Sequence, residues 1–381
     1  MTTYLRIRIY LSLFLLMGCF VQCTQVSTKF ADAEIQDSLY YSIEDFNNLD
    51  KIDAHFHLRN AGDTIFVEQA EKDNFRVLNL NVYTDKGTPV EEQKEMSIRM
   101  IKAYPEIVSW GTTFSLKNFN EPGWQEEAIN YIRTSVSEGA IAVKVWKNIG
   151  FFLKDENANL VMIDHPRFDP VLDYMAKNQI PLVGHLGEHK NSWQPLEKMT
   201  VKGNRDYARD HPDEHMYLHP ERPSYEDYIA ARDRMLDKHP DLVFIGAHLG
   251  SLEWSVDELA KRLDKYPNMA VDMAERISHI QYQTLTEWQK VRDFFIKYQD
   301  RLIYGTDLRR GAMDIVNAGI TEPTDIKKHA HDVWIRHWKF FVTDENMEVP
   351  KVRGEFRGLK LPREVVDKIY FSNAKRWFPG I

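Results

Sequence analysis

Cysteine is almost missing from this chain: the only two, Cys19 and Cys23, lie close together near the N-terminus. No disulfide can brace the core, and zinc sites built on cysteine are excluded. No run of lysine or arginine stands out and the net charge is -8, so nothing points to nucleic acid as a partner. A mildly acidic surface serves solubility. The N-terminal apolar run, 9–16, is too short for a membrane-spanning helix, which needs about 20 apolar residues. There is no internal repeat and no low-complexity segment. A Gly-rich phosphate turn is also missing where a doubly wound open sheet would carry one, after the first strand. That position reads His55-Phe56-His57-Leu58-Arg59-Asn60.

What is present has the composition of a soluble globular protein, 43% apolar and 28% charged over 381 residues. A (β/α)8 barrel is one domain of about 250 residues and grows beyond that by insertion. At the N-terminus, Arg6 and Arg8 precede the apolar run, which ends in Leu16-Met17-Gly18-Cys19. A basic start, a short apolar stretch and a small residue before the cut describe a secretory signal. Leu-Met-Gly-Cys also resembles a bacterial lipobox, in which the cysteine is lipidated and becomes the new N-terminus. The expected organisation is a lipoprotein-type signal peptide at 1–23, a polar tether at 24–49 and the barrel at 50–381. The product would be exported and held at the periplasmic or outer surface of a membrane by the lipid on Cys19. A plain signal peptide cut elsewhere is the alternative.

From Lys51 onward, short apolar runs alternate with amphipathic ones. Strands are expected at 52–56, 77–82, 107–113, 140–146, 180–184, 242–247, 269–273 and 302–305. Most are nearly continuous in apolar residues, as parallel strands buried on both faces should be. Helical spacing appears at 91–104, 126–137, 252–266 and 288–298. Strand and helix alternating eight times favours a parallel sheet closed into a (β/α)8 TIM barrel. The segment 189–224, after the fifth strand, is long, polar and punctuated by Pro195, Gly203, Pro212 and Pro220. A long connection of this kind is expected to be a lid over the catalytic face. Its His211, His215 and His219 share a helical spacing that Pro212 and Pro220 break, so they are read as loop residues.

The chemistry-bearing residues stand at strand ends. His55 and His57 close the first strand, and residues i and i+2 share a strand face. His185 ends the fifth strand, His248 the sixth and Asp307 the eighth, each after small residues that leave room beside it. In a barrel all these ends converge on one face. Histidines with one carboxylate suit zinc or another borderline divalent ion, with a position left for water.

With those residues the sequence resembles the amidohydrolase superfamily, in its amidohydrolase-related branch, from Ile52 to Phe378. His55-Phe56-His57 matches the first-strand motif. His185, His248 and Asp307 match the residues at the ends of strands five, six and eight. The tail 369–378 looks like the closing helix with its Asn-Ala pair, Asn373 and Ala374. The resemblance implies one divalent metal, zinc with manganese as the other candidate, bound by His55, His57, His185 and Asp307, while His248 contacts substrate. Lys144, near the end of strand four, is carboxylated in some members to bridge two metals. The reading adopted is a lysine paired with a ligand or with a substrate carboxylate. After Asp307 the sequence departs from the branch with Leu308-Arg309-Arg310, and after strand seven with Asp272-Met273-Ala274-Glu275-Arg276. Arg276, Arg309 and Arg310 are candidate clamps for an anionic substrate.

The expected activity is hydrolysis of a lactone or amide of a small molecule. Asp307 would act as proton shuttle, and the metal and His248 would polarise the carbonyl. Two other readings stay open. One is nonoxidative decarboxylation on the same ligands; the other is a surface lipoprotein that only binds a ligand.

Overall fold

A computed structural model describes residues 39–311, 315–316 and 319–381. The expected signal peptide, Cys19 and residues 24–38 lie outside them. Eight strands form one sheet in sequence order, each parallel to the next. They are β1 (Lys51–Phe56), β2 (Phe75–Leu80), β3 (Val108–Thr112), β4 (Ala140–Val145), β5 (Leu182–Gly184), β6 (Phe244–Gly246), β7 (Met269–Asp272) and β8 (Leu302–Ile303). Helices follow them in turn: α1 (Thr64–Lys72), α2 (Val90–Ala103), α3 (Trp124–Ser137) and α4 (Asp169–Lys177) after β1 to β4. After β5 come α5 (Lys202–Asp210) and α6 (Tyr225–Lys238), then α7 (Val256–Lys265), α8 (Ile277–Lys297) and α9 (Pro323–Val342). The ring closes where the chain leaving β8 runs beside β1. Ala54 N donates to Tyr304 O at 3.0 Å, Asp307 N to His55 O at 2.8 Å and His57 N to Leu308 O at 3.1 Å. This is the (β/α)8 TIM barrel that the strand pattern predicts.

Alternation along the strands sorts the core into two layers. Leu78, Leu80, Ala142, Val183, Ile245, Ala270 and Ile303 pack together inside the barrel. Their strand neighbours Val77, Val143, Leu182, Phe244, Val271 and Leu302 join the larger cluster beneath the helices. Ala374, Trp377 and Phe378 complete the inner cluster. Asn373 Nδ2 donates to Leu302 O at 2.7 Å, so this closing segment plugs the end where the strands begin. The opposite, C-terminal end is left open.

Two expectations need correcting. The tether does not reach residue 49. From Tyr40, which bridges to Pro362, the chain is folded onto the barrel. Phe46 is buried, the buried Lys51 donates to Phe46 O and Leu49 O, and Trp338 Nε1 donates to Ser42 O at 3.0 Å. Charge and polarity hide this, because the apolar content of 40–49 is carried by a few aromatic and aliphatic residues. The second correction concerns 189–224, which is not a bare loop: it contains α5 and several 3-10 turns. Lys147, just past β4, pairs with both Glu188 and Glu214, and Tyr207 OH donates to Glu214 at 2.9 Å. These contacts hold the insertion over the open end. The rings of His211, His215 and His219 each bond a backbone carbonyl within the insertion.

Candidate metal centre

Strict alternation would not have delivered both first-strand histidines. The β1–β2 register shifts between Asp53 and Phe56, so β1 carries one extra residue there. Such bulges re-aim side chains beside active sites. Below the bulge, Asp53 turns to the α9 side, accepting from Trp334 Nε1 at 3.0 Å. Above it, His55 and His57 point into the mouth with ring centroids 5.4 Å apart, and Phe56 packs outward on Phe66 and Trp334. Gly305 is required here, since a Cβ on it would lie 2.9 Å from His55 Cβ.

The remaining strand ends converge on the same space. Lys144 shares the inward face of Ala142, His185 that of Val183, and Asp272 that of Ala270. His248 would point outward by alternation. Its positive φ of 59° redirects it, and Asp307 has φ of 65°. Non-glycine residues held in this region are strained and cluster at functional sites. His57 Nε2 lies 3.0 Å and His55 Nε2 3.7 Å from Asp307 Oδ1. These three residues form a compact donor group. His185 is not within it; it joins through His248, with ring centroids 4.2 Å apart, and His248 lies 4.8 Å from His55.

Hydrogen bonds fix which nitrogen of each ring carries the proton. A carbonyl only accepts, so His57 Nδ1 donates to Leu80 O at 2.7 Å and His248 Nδ1 to Ala274 O at 2.9 Å. His55 Nδ1 donates to the Asp272 carboxylate at 2.9 Å. In His57 and His248 the Nε2 lone pair is left facing the mouth, while that of His55 takes Lys144 Nζ at 2.7 Å. Burial disfavours the charged form of three of the site's rings: it pushes His57 down to about 4 and His248 to about 3, and His185 falls well below its usual value. His185 Nε2 is buried with no hydrogen-bond partner among the described residues. For Asp307, burial works upward but the His57 contact and neighbouring rings outweigh it, holding the carboxyl well below its ordinary range. Bare imidazole nitrogens around a carboxylate, one of them orphaned, are what a divalent cation needs, and the donor set fits one.

Asp272 belongs to a second candidate donor group with His55 and His248, but its lone pairs already have donors. Oδ2 takes His55 Nδ1, and Oδ1 takes the backbone N–H of His248 at 2.9 Å and of Ala274 at 3.1 Å. Burial works to raise Asp272, and His55, His248 and Lys144 overcome that to hold it at about 2. It therefore orients ligands. Lys144 Nζ lies 2.7 Å from His55 Nε2, which makes it a partner of a candidate ligand. His55 has one lone pair there, so bonding a cation requires Nζ to withdraw.

The open end is a cavity of about 530 Å³ lined by His57, His185, His248, Asp307 and Lys144, with the insertion contributing Asn204, Tyr207 and Glu214. Arg276 and Arg309 also line it, but Arg276 is 3.5 Å from Glu188. Arg310 turns away, 3.8 Å from Asp63. Sequence reasoning missed the roles of Asp272 and Glu188. Asp272 ends its strand just as the predicted ligands end theirs, and that signal was present. The expectation that His248 polarises a carbonyl needs an Nε2–H, whereas the neutral ring presents a lone pair; His248 is built to accept.

A family model described as amidohydrolase matches residues 119–380, a span that includes His185, His248 and Asp307 and begins after His55 and His57. No curated protein matches the chain. Among solved structures it is similar to 2,6-dihydroxybenzoate decarboxylase from Rhizobium, at 13% identity and TM-score 0.51, covering 86% of this chain and 98% of that one. A 2,6-dihydroxybenzoate decarboxylase complexed with 2,6-dihydroxybenzoate gives 14% identity and TM-score 0.52 over 86% of this chain and 98% of the other. At such identities the likeness is one of fold.

Proposed function

The chain belongs to the amidohydrolase family, and we propose that it is a hydrolase in which His55, His57, His185 and Asp307 hold one divalent cation, zinc or manganese, to cleave a lactone or amide of a small molecule. The observation that carries this reading is the donor group of His55, His57 and Asp307, with the orphaned Nε2 of His185 joined to it through His248. A divalent cation bound there supplies Lewis acidity, lowering the pKa of water to about 7 and polarising a substrate oxygen.

The chain's own residues do the rest. Asp307, ionised and partly exposed to the cavity, takes the proton of the attacking water and returns it to the leaving oxygen or nitrogen. His248 accepts a hydrogen bond from a substrate N–H or O–H through Nε2. The insertion, held down by Lys147 on Glu188 and Glu214, limits water around the reacting centre. We further propose that residues 1–23 export the chain and that Cys19 anchors it by lipid, on the strength of Leu16-Met17-Gly18-Cys19.

Metal-loaded protein assayed against a panel of lactones and amides tests the reading. Hydrolysis lost on chelation and restored by metal is expected. Carbon dioxide release from aromatic or unsaturated acids, without hydrolysis, would identify a decarboxylase instead. Full metal occupancy with no turnover of either kind would leave a ligand-binding protein.

A further inference from the structure

The basic side chains on the cavity wall divide by partner. Lys144 donates to His55, Lys147 pairs with Glu188 and Glu214, Arg276 with Glu188, and Lys351 with Glu275 at 3.0 Å. Arg59 and Arg309 line the same wall, and neither guanidinium has a hydrogen-bond or ion-pair partner among the described residues. The fold brings them together. Arg59 follows His57 by two residues and Arg309 follows Asp307 by two, and the two segments run in parallel, bridged at Phe56 and Leu308. His57 N bonds Leu308 O at 3.1 Å, and the His57 and Asp307 side chains meet at 3.0 Å. The two stems therefore rise from adjacent backbones on one edge of the mouth. Every other cation on this wall has been given a partner by the protein.

We propose that Arg59 and Arg309 form a clamp for a carboxylate carried by the substrate, remote from the carbonyl that is cleaved. The guanidinium fork matches a carboxylate in bidentate geometry. The substrate class is then an acyl compound with a free acid at its other end: a carboxylated lactone or an N-acyl acid. The inference rests on this cavity being the substrate site of the proposed hydrolase, and it adds the charge that the substrate must bear.

Equilibrium binding of malonate, succinate and glutarate, measured by calorimetry on metal-loaded and on chelator-treated protein, tests the clamp independently of turnover. Wild type binds at least one of them and does not bind the matching diamide. Arg59→Met and Arg309→Met each weaken that binding about tenfold or more, the scale of a lost charged hydrogen bond. Arg309→Lys recovers only part, and Arg99→Met, an exposed helix residue paired with Glu95, changes nothing. Binding that persists unchanged in both methionine variants, with metal content normal, overturns the clamp and leaves the metal reading standing. No binding of any of the three by wild type also overturns it. Inorganic phosphate bound more tightly than every dicarboxylate would overturn the assignment to a carboxylate. Arginine-dependent binding in a protein that holds no metal supports the clamp while removing the metal reading.

Discussion

Replacing Asp272 by Asn alters the proposed centre without removing any proposed ligand. The carboxylate takes three donors: two backbone N–H groups on Oδ1, from His248 and Ala274, and His55 Nδ1 on Oδ2. An Asn oxygen at the Oδ1 place keeps both backbone bonds, so the turn carrying His248 stays formed. Its NH2 then faces His55 Nδ1–H, donor against donor. The ring escapes this clash only by moving its proton to Nε2, which leaves Nδ1 free to accept and displaces the Lys144 Nζ donor. The price is the lone pair on Nε2, the atom proposed to hold the cation. Loss of a ligand's orienting partner typically weakens metal binding about 10–100-fold, or roughly 1.4–2.7 kcal/mol. Competition with a chromophoric chelator measures this directly. Asp272→Asn should show that loss with unchanged folding, while Asp272→Ala, which strands the two backbone donors, should also lower the melting temperature. Wild-type metal affinity in Asp272→Asn would refute the tautomer argument.

Asp307→Asn can still coordinate through its carbonyl oxygen but cannot accept a proton, so it should retain a good part of its metal and lose about 10²–10⁴-fold in turnover; an active variant would move the base elsewhere, with His248 the next group to test. Glu253 is buried, and that burial raises its carboxyl to about 7, with Arg276 and the Lys190 N–H pulling the other way. A raised acid stabilises the fold fully below the unfolded value of 4.5 and loses that contribution as pH climbs through 7. Denaturation curves at pH 5 and pH 8 should therefore shift in favour of Glu253→Gln relative to wild type by up to about 3 kcal/mol, and parallel curves would count against it. Cys19→Ser should move the protein from the membrane fraction to the soluble one; a wild type already soluble and starting beyond residue 19 would end the lipid-anchor proposal.

The barrel was legible because parallel strands buried on both faces leave uninterrupted apolar runs, and every such run became a strand, within a few residues at each end. Their ends were marked as clearly, since a polar ligand-type residue after Gly184, Ala247 or Gly305-Thr306 interrupts an apolar pattern for no structural reason. Less could be read where geometry depends on irregular backbone. Nothing in Ile52-Asp53-Ala54-His55 announces the bulge that turns Asp53 out and both histidines in. The positive φ of His248 is likewise invisible, because tertiary bonds hold that turn, from His248 N to Asp272 Oδ1 and from His248 Nδ1 to Ala274 O. Asp272 escaped notice for a related reason: an acidic strand end reads as ligand, rim charge or support alike, and only its three donors decide. Residues 40–49 and helix α5 were misread because their polarity resembles that of linkers, although Phe46 and the Lys147 ion pairs tie both to the barrel.

A single divalent cation held by His55, His57, His185 and Asp307 is open to elemental analysis of the purified protein and its variants. The wild type should carry about one equivalent. His57→Ala and His185→Ala should carry far less, since a site that loses one of its protein ligands is left under-coordinated, and His248→Ala should keep its metal. A wild type without bound divalent metal after incubation with zinc or manganese, or a His185→Ala variant with undiminished content, would contradict the account. Two equivalents, one of them lost in Lys144→Ala, would replace it with a bridged pair.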